Sequence, residues 1–249
     1  MHPWDAGRVV KLFRAGYGRD TVEAEYALAA AVRGHDLPTP VAHGVVGHGP
    51  RWGIVYDRVD GESLESWTLR TGDVHRCAGV LADAHRALTA CRAAPGVPWW
   101  KDVLRAHVLA ADGLSDVEQG SALAALDALE DGPWLCHGDL HPGNVLLAPT
   151  SPRVVDLSNL CRGPALYDVA RTVHLVQGTP VPQGAADPQV LRTLKDEVAD
   201  AFLQAVGVTR AAVEPYLAVV RAARVGECPD EVRAGGTVGD AARPGAVGG

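Results

Sequence analysis

Residues 134–147 read Trp-Leu-Cys-His-Gly-Asp-Leu-His-Pro-Gly-Asn-Val-Leu-Leu, and residues 153–157 read Arg-Val-Val-Asp-Leu. Apolar residues flank both polar groups, and a Pro-Thr-Ser-Pro segment at 149–152 separates the two. Short apolar runs on either side of such a segment are typical of a β-hairpin. The pattern therefore predicts a polar loop, then a hairpin, then a carboxylate, Asp156, at the far end of the hairpin.

Three polar side chains of this stretch suit phosphoryl transfer. Asp139 would accept the proton of a substrate hydroxyl, while Asn144 and Asp156 would hold Mg²⁺ bridging the nucleotide phosphates. A hairpin brings positions about a dozen residues apart side by side, so the three groups can converge on one γ-phosphate. The spacing therefore predicts a kinase-like catalytic site.

The stretch resembles the H-x-D-x-x-x-x-N catalytic loop of protein kinases, with Asp156 in the place of the DFG aspartate. It resembles more closely the aminoglycoside phosphotransferase family of small-molecule kinases, which writes this loop H-G-D-x-x-x-x-N. The family pattern continues with Gly163-Pro164 and Tyr167-Asp168. Leu157 departs from it, because the family usually has Trp after the metal-loop aspartate.

The resemblance implies an α+β, protein-kinase-like fold with two lobes. The N-lobe and hinge would span residues 1–61, with an antiparallel sheet and one helix, and a mostly helical C-lobe would span 62–228. Residues 229–249 are expected to form a flexible tail. Because only about seven residues precede the strand that begins at Arg8, the N-lobe is predicted to be truncated and to lack the family's first glycine-rich hairpin.

The resemblance also assigns roles to side chains around the nucleotide. His137 would brace the catalytic loop, and Asp168 would steady that loop without touching substrate. Lys11, on a strand at 8–13, would grip the α- and β-phosphates, and Glu25 would pair with it. Taken alone, Lys11 could equally be an exposed strand lysine and Glu25 part of a solvated helix face.

The helix that carries Glu25 is predicted to start near Asp20 or Thr21, with Asp20 and Glu23 as its capping pair. Glu23 is the alternative partner for the lysine. After a strand at 52–56, the resemblance places the hinge at 57–61. There the carbonyl of Asp57 and the N–H of Val59 would face adenine.

Five helices are predicted from apolar periodicity and capping. They span 74–90, 100–114, 115–129, 190–206 and 210–225. Ser115 and Glu118 form a capping box at the start of the third. Three acidic residues near this break are either contacts for a cationic substrate or ordinary solvated charges: Asp112, Asp116 and Glu118.

Composition excludes several classes of protein. The 249 residues carry a net charge of −7, which disfavours a nucleic-acid partner and suits a cationic small molecule. No run approaches the roughly 20 apolar residues of a membrane span. The five scattered cysteines are odd in number, which favours reduced thiols in a cytoplasm over disulfides.

The sequence thus predicts an ATP- and Mg²⁺-dependent phosphotransferase that acts on a hydroxyl of a small polar or cationic molecule. One alternative is a non-catalytic kinase-fold protein that binds a nucleotide or another ligand, since the glycine-rich loop is missing. Another is a protein kinase. A third is a zinc site at His137, Asp139 and His141, because imidazoles and carboxylates bind zinc.

Overall fold

The computed structural model describes residues 1–178 and 187–227. The predicted tail at 229–249 and most of the loop expected at 180–188 lie outside these residues. Within the two described ranges, no helix is long and apolar enough to cross a membrane.

The N-terminal lobe is a four-stranded antiparallel sheet with one helix. The strands, in the spatial order β1-β2-β4-β3, are β1 (His2–Asp5), β2 (Arg8–Leu12), β3 (Ala42–His48) and β4 (Arg51–Asp57). Helix α1 (Arg19–Ala31) connects β2 to β3 and buries Val22 and Ala29, which lie two turns apart on one face. The predicted antiparallel sheet with one helix is confirmed.

Strand β1 was not predicted: the sequence indicated only that too few residues precede the lysine strand for the family's first two-stranded hairpin, and one strand is present there. β1 pairs with β2 through a tight turn, in which the N–H of Gly7 donates to Oδ1 of Asp5 at 3.0 Å. All four residues of β1 are exposed. A strand that buries neither face has no alternating pattern, so the sequence could not reveal it.

The predicted cap of α1 is also wrong. The helix begins at Arg19, and Gly18 precedes it without a side-chain cap. Instead of capping the helix, Glu23 accepts a hydrogen bond from Nε of Arg19 at 2.7 Å. Because the Glu23 side chain forms an ion pair with a residue one turn earlier, it does not cap the helix.

Helices dominate the second lobe. They are α2 (Leu64–Thr71), α3 (Val74–Thr89), α4 (Trp100–Leu109), α5 (Asp116–Ala128), α6 (Ala165–Gly178), α7 (Pro188–Val206) and α8 (Arg210–Glu227). The five predicted helices are confirmed, although α4 stops at Leu109 rather than at residue 114. The capping box of Ser115 and Glu118 is present at the start of α5.

Short strands position the polar loops between these helices. β5 (Glu62–Ser63) pairs with β7 (Val145–Leu147), which forms the predicted hairpin with β8 (Pro152–Val154). β6 (Trp134–Cys136) pairs with β9 (Cys161–Gly163), and Cys136 lies opposite Cys161. Both thiols are free and buried, as expected of small apolar side chains.

Two apolar clusters hold the chain together. The larger lies among the helices of the second lobe and includes the fully buried Trp100 and Phe202. The smaller cluster spans both lobes, because Val22 and Ile54 of the N-terminal lobe share it with Leu135 and Leu157. We call this smaller group the interlobe cluster.

Candidate active site

The loop between β6 and β7 is built around Gly138. Its N–H donates to Oδ1 of Asp168 at 2.9 Å, and its carbonyl accepts from Nε of Arg171 at 2.8 Å. Its φ is 72°, in the left-handed region, and a Cβ there would lie too close to the carbonyl of Asn159. Glycine is therefore required at this position for both backbone conformation and space.

Asp168 is fully buried at the start of α6. Besides Gly138, its carboxylate contacts Nδ1 of the buried His85 at 3.2 Å. Burial alone raises the pKa of Asp168, but His85 and the backbone N–H outweigh that effect, so its pKa lies below the ordinary value. The geometry supports the role predicted for Asp168, which is to steady the loop from behind.

His137 makes two hydrogen bonds inside the same loop. Its Nε2 lies 3.3 Å from the carbonyl of Val155 and must donate, since a carbonyl only accepts. Its Nδ1 then accepts from the N–H of Asp139 at 3.2 Å. The side chain thus ties the catalytic loop to the end of the hairpin, which supports the predicted bracing role.

The same geometry argues against zinc. Both ring nitrogens of His137 are already used, and Nδ1 of His141 accepts from the N–H of Gly143 at 3.1 Å. Across the residues that the structure describes, no three His, Cys, Asp or Glu side chains form a group that could hold a metal ion.

Asn144 and Asp139 lie in contact. Nδ2 of Asn144 donates to the carbonyl of Asp139 at 2.9 Å and to its Oδ2 at 3.1 Å. Asp139 itself is largely buried, with 8% of its surface exposed. Because the amide nitrogen of Asn144 serves Asp139, the amide oxygen remains for another partner.

Asp156 follows the hairpin in a strained conformation. It has a φ of 61°, and among the described residues it is the only non-glycine residue with a positive φ. Its Oδ1 accepts from Nζ of Lys11 at 2.8 Å and from Oγ of Ser158 at 2.9 Å. Burial alone raises the pKa of Asp156, but Lys11 and Ser158 outweigh it and hold the pKa below its ordinary value.

Lys11 joins three segments that are far apart in the sequence. Its Nζ donates to Glu25 at 2.9 Å as well as to Asp156. Burial alone lowers the pKa of Lys11, but the two carboxylates outweigh it and raise the pKa. Burial and the nearby Asp156 raise the pKa of Glu25 against the opposing effect of Lys11.

Oxygen atoms of Asn144 and Asp156 are the ligands that Mg²⁺ prefers. A magnesium ion bound with a nucleotide usually takes one or two protein carboxylates, phosphate oxygens and water. A nucleotide-bound Mg²⁺ therefore needs few protein ligands, and Asn144 and Asp156 are suitable ones.

The residues predicted to contact adenine lie at the end of β4. The N–H of Asp57 donates to the carbonyl of Val41 at 2.9 Å, and its carboxylate contacts Nε2 of His43 at 2.6 Å. Val59 lies in the connection from β4 to β5. The roles of Asp57 and Val59 remain predictions, because recognition through the backbone leaves no side-chain evidence.

Two side chains beside the catalytic loop were not identified from the sequence. Arg171 is 2% exposed and forms two hydrogen bonds to Glu227, at 2.9 and 3.1 Å. Arg171 lies one helical turn after Asp168, so the helical spacing could have indicated a shared face. Glu227 has no such signal, since it lies on another helix far along the chain.

Of the acidic residues suggested as substrate contacts, Glu118 has a structural role. Its Oε2 accepts from the N–H and the Oγ of Ser115, at 2.8 and 2.7 Å. These bonds close the capping box and lower the pKa of Glu118. The suggestion for Asp112 and Asp116 remains a prediction.

The model of a family described as the phosphotransferase enzyme family, APH, matches residues 3–216. No curated protein matches the chain.

Among solved structures, an aminoglycoside-3′-phosphotransferase of type VIII is 22% identical, with a TM-score of 0.59, over 86% of this chain and 84% of that one. An aminoglycoside phosphotransferase from Streptomyces rimosus, in complex with ADP and streptomycin, is 20% identical, with a TM-score of 0.56 and 87% of each chain covered. A choline/ethanolamine kinase family protein from Mesorhizobium loti is 15% identical, with a TM-score of 0.55, over 94% of this chain and 77% of that one. At these identities the likeness shows the fold, which is protein-kinase-like and two-lobed.

Proposed function

Because the chain belongs to the APH phosphotransferase enzyme family, we propose that it transfers the γ-phosphate of ATP to a hydroxyl group of a small polar or cationic molecule. The observation that carries the proposal is the pairing of Lys11 with Asp156 and of Asn144 with Asp139, in two loops that His137 ties together. Lys11 lies 2.8 Å from Asp156, and Asn144 lies 3.1 Å from Asp139. These are the cation, the two oxygen ligands and the carboxylate that phosphoryl transfer requires.

In this proposal each group has one task. Asp139 orients the acceptor hydroxyl and accepts its proton. Lys11, steadied by Glu25, binds the α- and β-phosphates. Asn144 and Asp156 would hold Mg²⁺, which neutralises the charge that the phosphate oxygens carry. Most of the rate enhancement then comes from positioning and electrostatic stabilisation.

Nucleotide use is supported by the relatives. The Streptomyces rimosus structure contains ADP, and an amicoumacin kinase of similar fold contains AMP-PNP and Ca²⁺. The Streptomyces rimosus structure also contains streptomycin, which motivates a polar or cationic acceptor for this chain. A cytoplasmic location remains a prediction.

A second candidate is a non-catalytic protein that binds a nucleotide or another ligand. The turn between β1 and β2 favours it, because this turn contains Gly7 as its only glycine rather than a glycine-rich loop. Loops that cover phosphates need backbone N–H groups and close approach, which several glycines provide.

Thermal unfolding with and without Mg²⁺ and ATP tests the nucleotide site. At a ligand concentration of about 100 times Kd, binding stabilises a protein by roughly 2.7 kcal/mol. For a chain of this length that corresponds to about 5–10 °C in Tm. We expect Asp156→Asn to abolish the metal-dependent shift. The control, Asp200→Asn, alters an exposed carboxylate on α7 that pairs with Arg210 and should keep the full shift.

Product formation separates the two candidates. Wild-type protein is incubated with ATP, Mg²⁺ and a panel of hydroxyl acceptors that includes aminoglycosides and choline, and phosphorylated product is quantified. We expect Asp139→Asn to lower transfer by about 10²–10⁴-fold while the ATP-induced rise in Tm persists. ATP binding without transfer to any acceptor supports the binding protein, and the absence of both effects in folded wild type overturns the proposal.

A further inference from the structure

We propose that Arg171 is a positioning residue for Asp139, and that Glu227 on α8 holds Arg171 in place. The inference rests on the proposed function, because it assigns Arg171 to the transfer step. Arg171 lies on α6 and is almost completely buried beside the catalytic loop. No sequence motif links it to Glu227, which lies 56 positions later in the chain.

The guanidinium group of Arg171 is held by three hydrogen bonds. Nε donates to the carbonyl of Gly138 at 2.8 Å, while Nη1 and Nη2 donate to the carboxylate of Glu227 at 2.9 and 3.1 Å. A planar group with partners on two of its edges has one orientation. In that orientation Nη2 lies 4.0 Å from Oδ1 of Asp139.

Arg171 acts on Asp139 mainly through the preceding peptide. The N–H of Gly138 is fixed by Asp168 and its carbonyl by Arg171, and both side chains come from the same face of α6. One helix therefore holds the two peptide groups that flank Gly138, the first through its N–H and the second, which leads into Asp139, through its carbonyl. Losing the contact with Arg171 would let the carboxylate of Asp139 move relative to Asn144.

Glu227 compensates the buried positive charge. A guanidinium without a partner in such a place is strongly unfavourable. Burial alone raises the pKa of Glu227, but Arg171 and Arg224 outweigh it and lower the pKa to about 2. Because Arg224 also lies 2.9 Å from Oε2, both oxygens of Glu227 already have cationic partners.

The cavity beside Arg171 and Glu227 is too small to hold the acceptor molecule. The cavity lined by Gly138, Arg171, Glu227 and His107 has a volume of about 10 Å³. Such a cavity holds about one water molecule. Arg171 therefore positions Asp139 and does not itself grip the substrate there.

The test compares Glu227→Gln and Arg171→Lys with a matched control. Glu214→Gln makes the same chemical change on the same helix, at an exposed residue that pairs with Arg221 at 2.8 Å. We expect the first two variants to lower kcat by about 10–100-fold, because a small misplacement of a catalytic group has effects of this order. The KM for ATP should change less than about three-fold, since the nucleotide contacts are untouched. The control should keep both values.

Two further variants distinguish positioning from a general loss of structure. Combining Arg171→Lys with Glu227→Gln should lower kcat hardly more than either change alone, because both break one chain of contacts. Glu227→Asp keeps the charge and should recover part of kcat. This conservative variant also decides the question if Arg171→Lys fails to fold.

The inference is overturned if wild type is active and Glu227→Gln keeps kcat within two-fold of wild type. It is also overturned if kcat and ATP affinity fall together in proportion to lost Tm, which a purely structural role would produce. A folded wild type that neither binds ATP nor forms product overturns the proposed function itself, and the role of Arg171 falls with it.

Discussion

A methyl group on Gly138 would collide with Asn159, and Gly138→Ala measures how tightly the catalytic loop is held. The added Cβ would lie closer than 3.0 Å to the carbonyl oxygen of Asn159, 3.2 Å from its carbonyl carbon and 3.3 Å from its Cβ. The φ of 72° adds a second cost. An L-residue in the left-handed region is disfavoured by about 1–2 kcal/mol.

Gly207→Ala is the matched control for the backbone cost. Gly207 ends α7 with a φ of 73°, and nothing lies within 4 Å of the position that its Cβ would occupy. Both substitutions place alanine at nearly the same positive φ, but only Gly138→Ala carries the collision. Overpacking in a well-packed region costs typically about 1–3 kcal/mol. We therefore expect the Tm of Gly138→Ala to lie about 2–12 °C below that of Gly207→Ala.

The rate of phosphate transfer is the second test of Gly138→Ala. To relieve the collision, the peptide before Asp139 must move away from the metal loop that carries Asn159. A displacement of about 1 Å can lower a catalytic rate by on the order of 100-fold. Thermal unfolding and kcat are measured for both variants, and Gly207→Ala should keep the wild-type kcat. Equal losses of Tm in the two variants, with full kcat in Gly138→Ala, would refute the reasoning.

Two other substitutions test the charged groups. Glu25→Gln removes one partner of Lys11 and should weaken ATP binding by about 1–2 kcal/mol, whereas the control Glu23→Gln on the same helix should change it by less than about 0.5 kcal/mol. Calorimetric titration with ATP measures both affinities. Equal effects of the two variants would contradict the pairing of Lys11 with Glu25. The second test concerns pH. Arg171 and Arg224 lower the pKa of Glu227 to about 2, although burial alone would raise it. The ionised Glu227 carboxylate therefore stabilises the fold by about 3 kcal/mol above pH 4.5, and this stabilisation is lost as the pH falls towards 2. The difference in unfolding free energy between wild type and Glu227→Gln should shrink over that range, and a difference independent of pH would exclude this linkage.

Local patterns in the sequence predicted much of the site. The hairpin between Asn144 and Asp156 was recognised because its strands and turn are adjacent in the chain. The capping box at Ser115 was recognised because its two partners are three residues apart. The structure also brings Lys11 to Glu25 rather than to Glu23, which the position on the helix alone did not decide.

Contacts between distant segments could not be predicted in this way. The bond between Lys11 and Asp156 joins residues 145 positions apart, and the bonds between Arg171 and Glu227 join residues 56 positions apart. Such pairs depend on how helices and lobes pack, which a single sequence does not encode locally. Strand β1 was missed for a different reason, because its residues are exposed on both faces.

The interlobe cluster determines how the chain behaves when it is divided. Leu88, Leu135 and Leu157 of the helical lobe are buried in the same cluster as Val22 and Ile54 of the sheet lobe. Cutting the chain at the hinge would expose apolar surface on both fragments, which favours aggregation over independent folding. Exchanging one lobe with that of a relative would likewise require a matching apolar surface on the other. The shared cluster therefore makes the two lobes one cooperative folding unit.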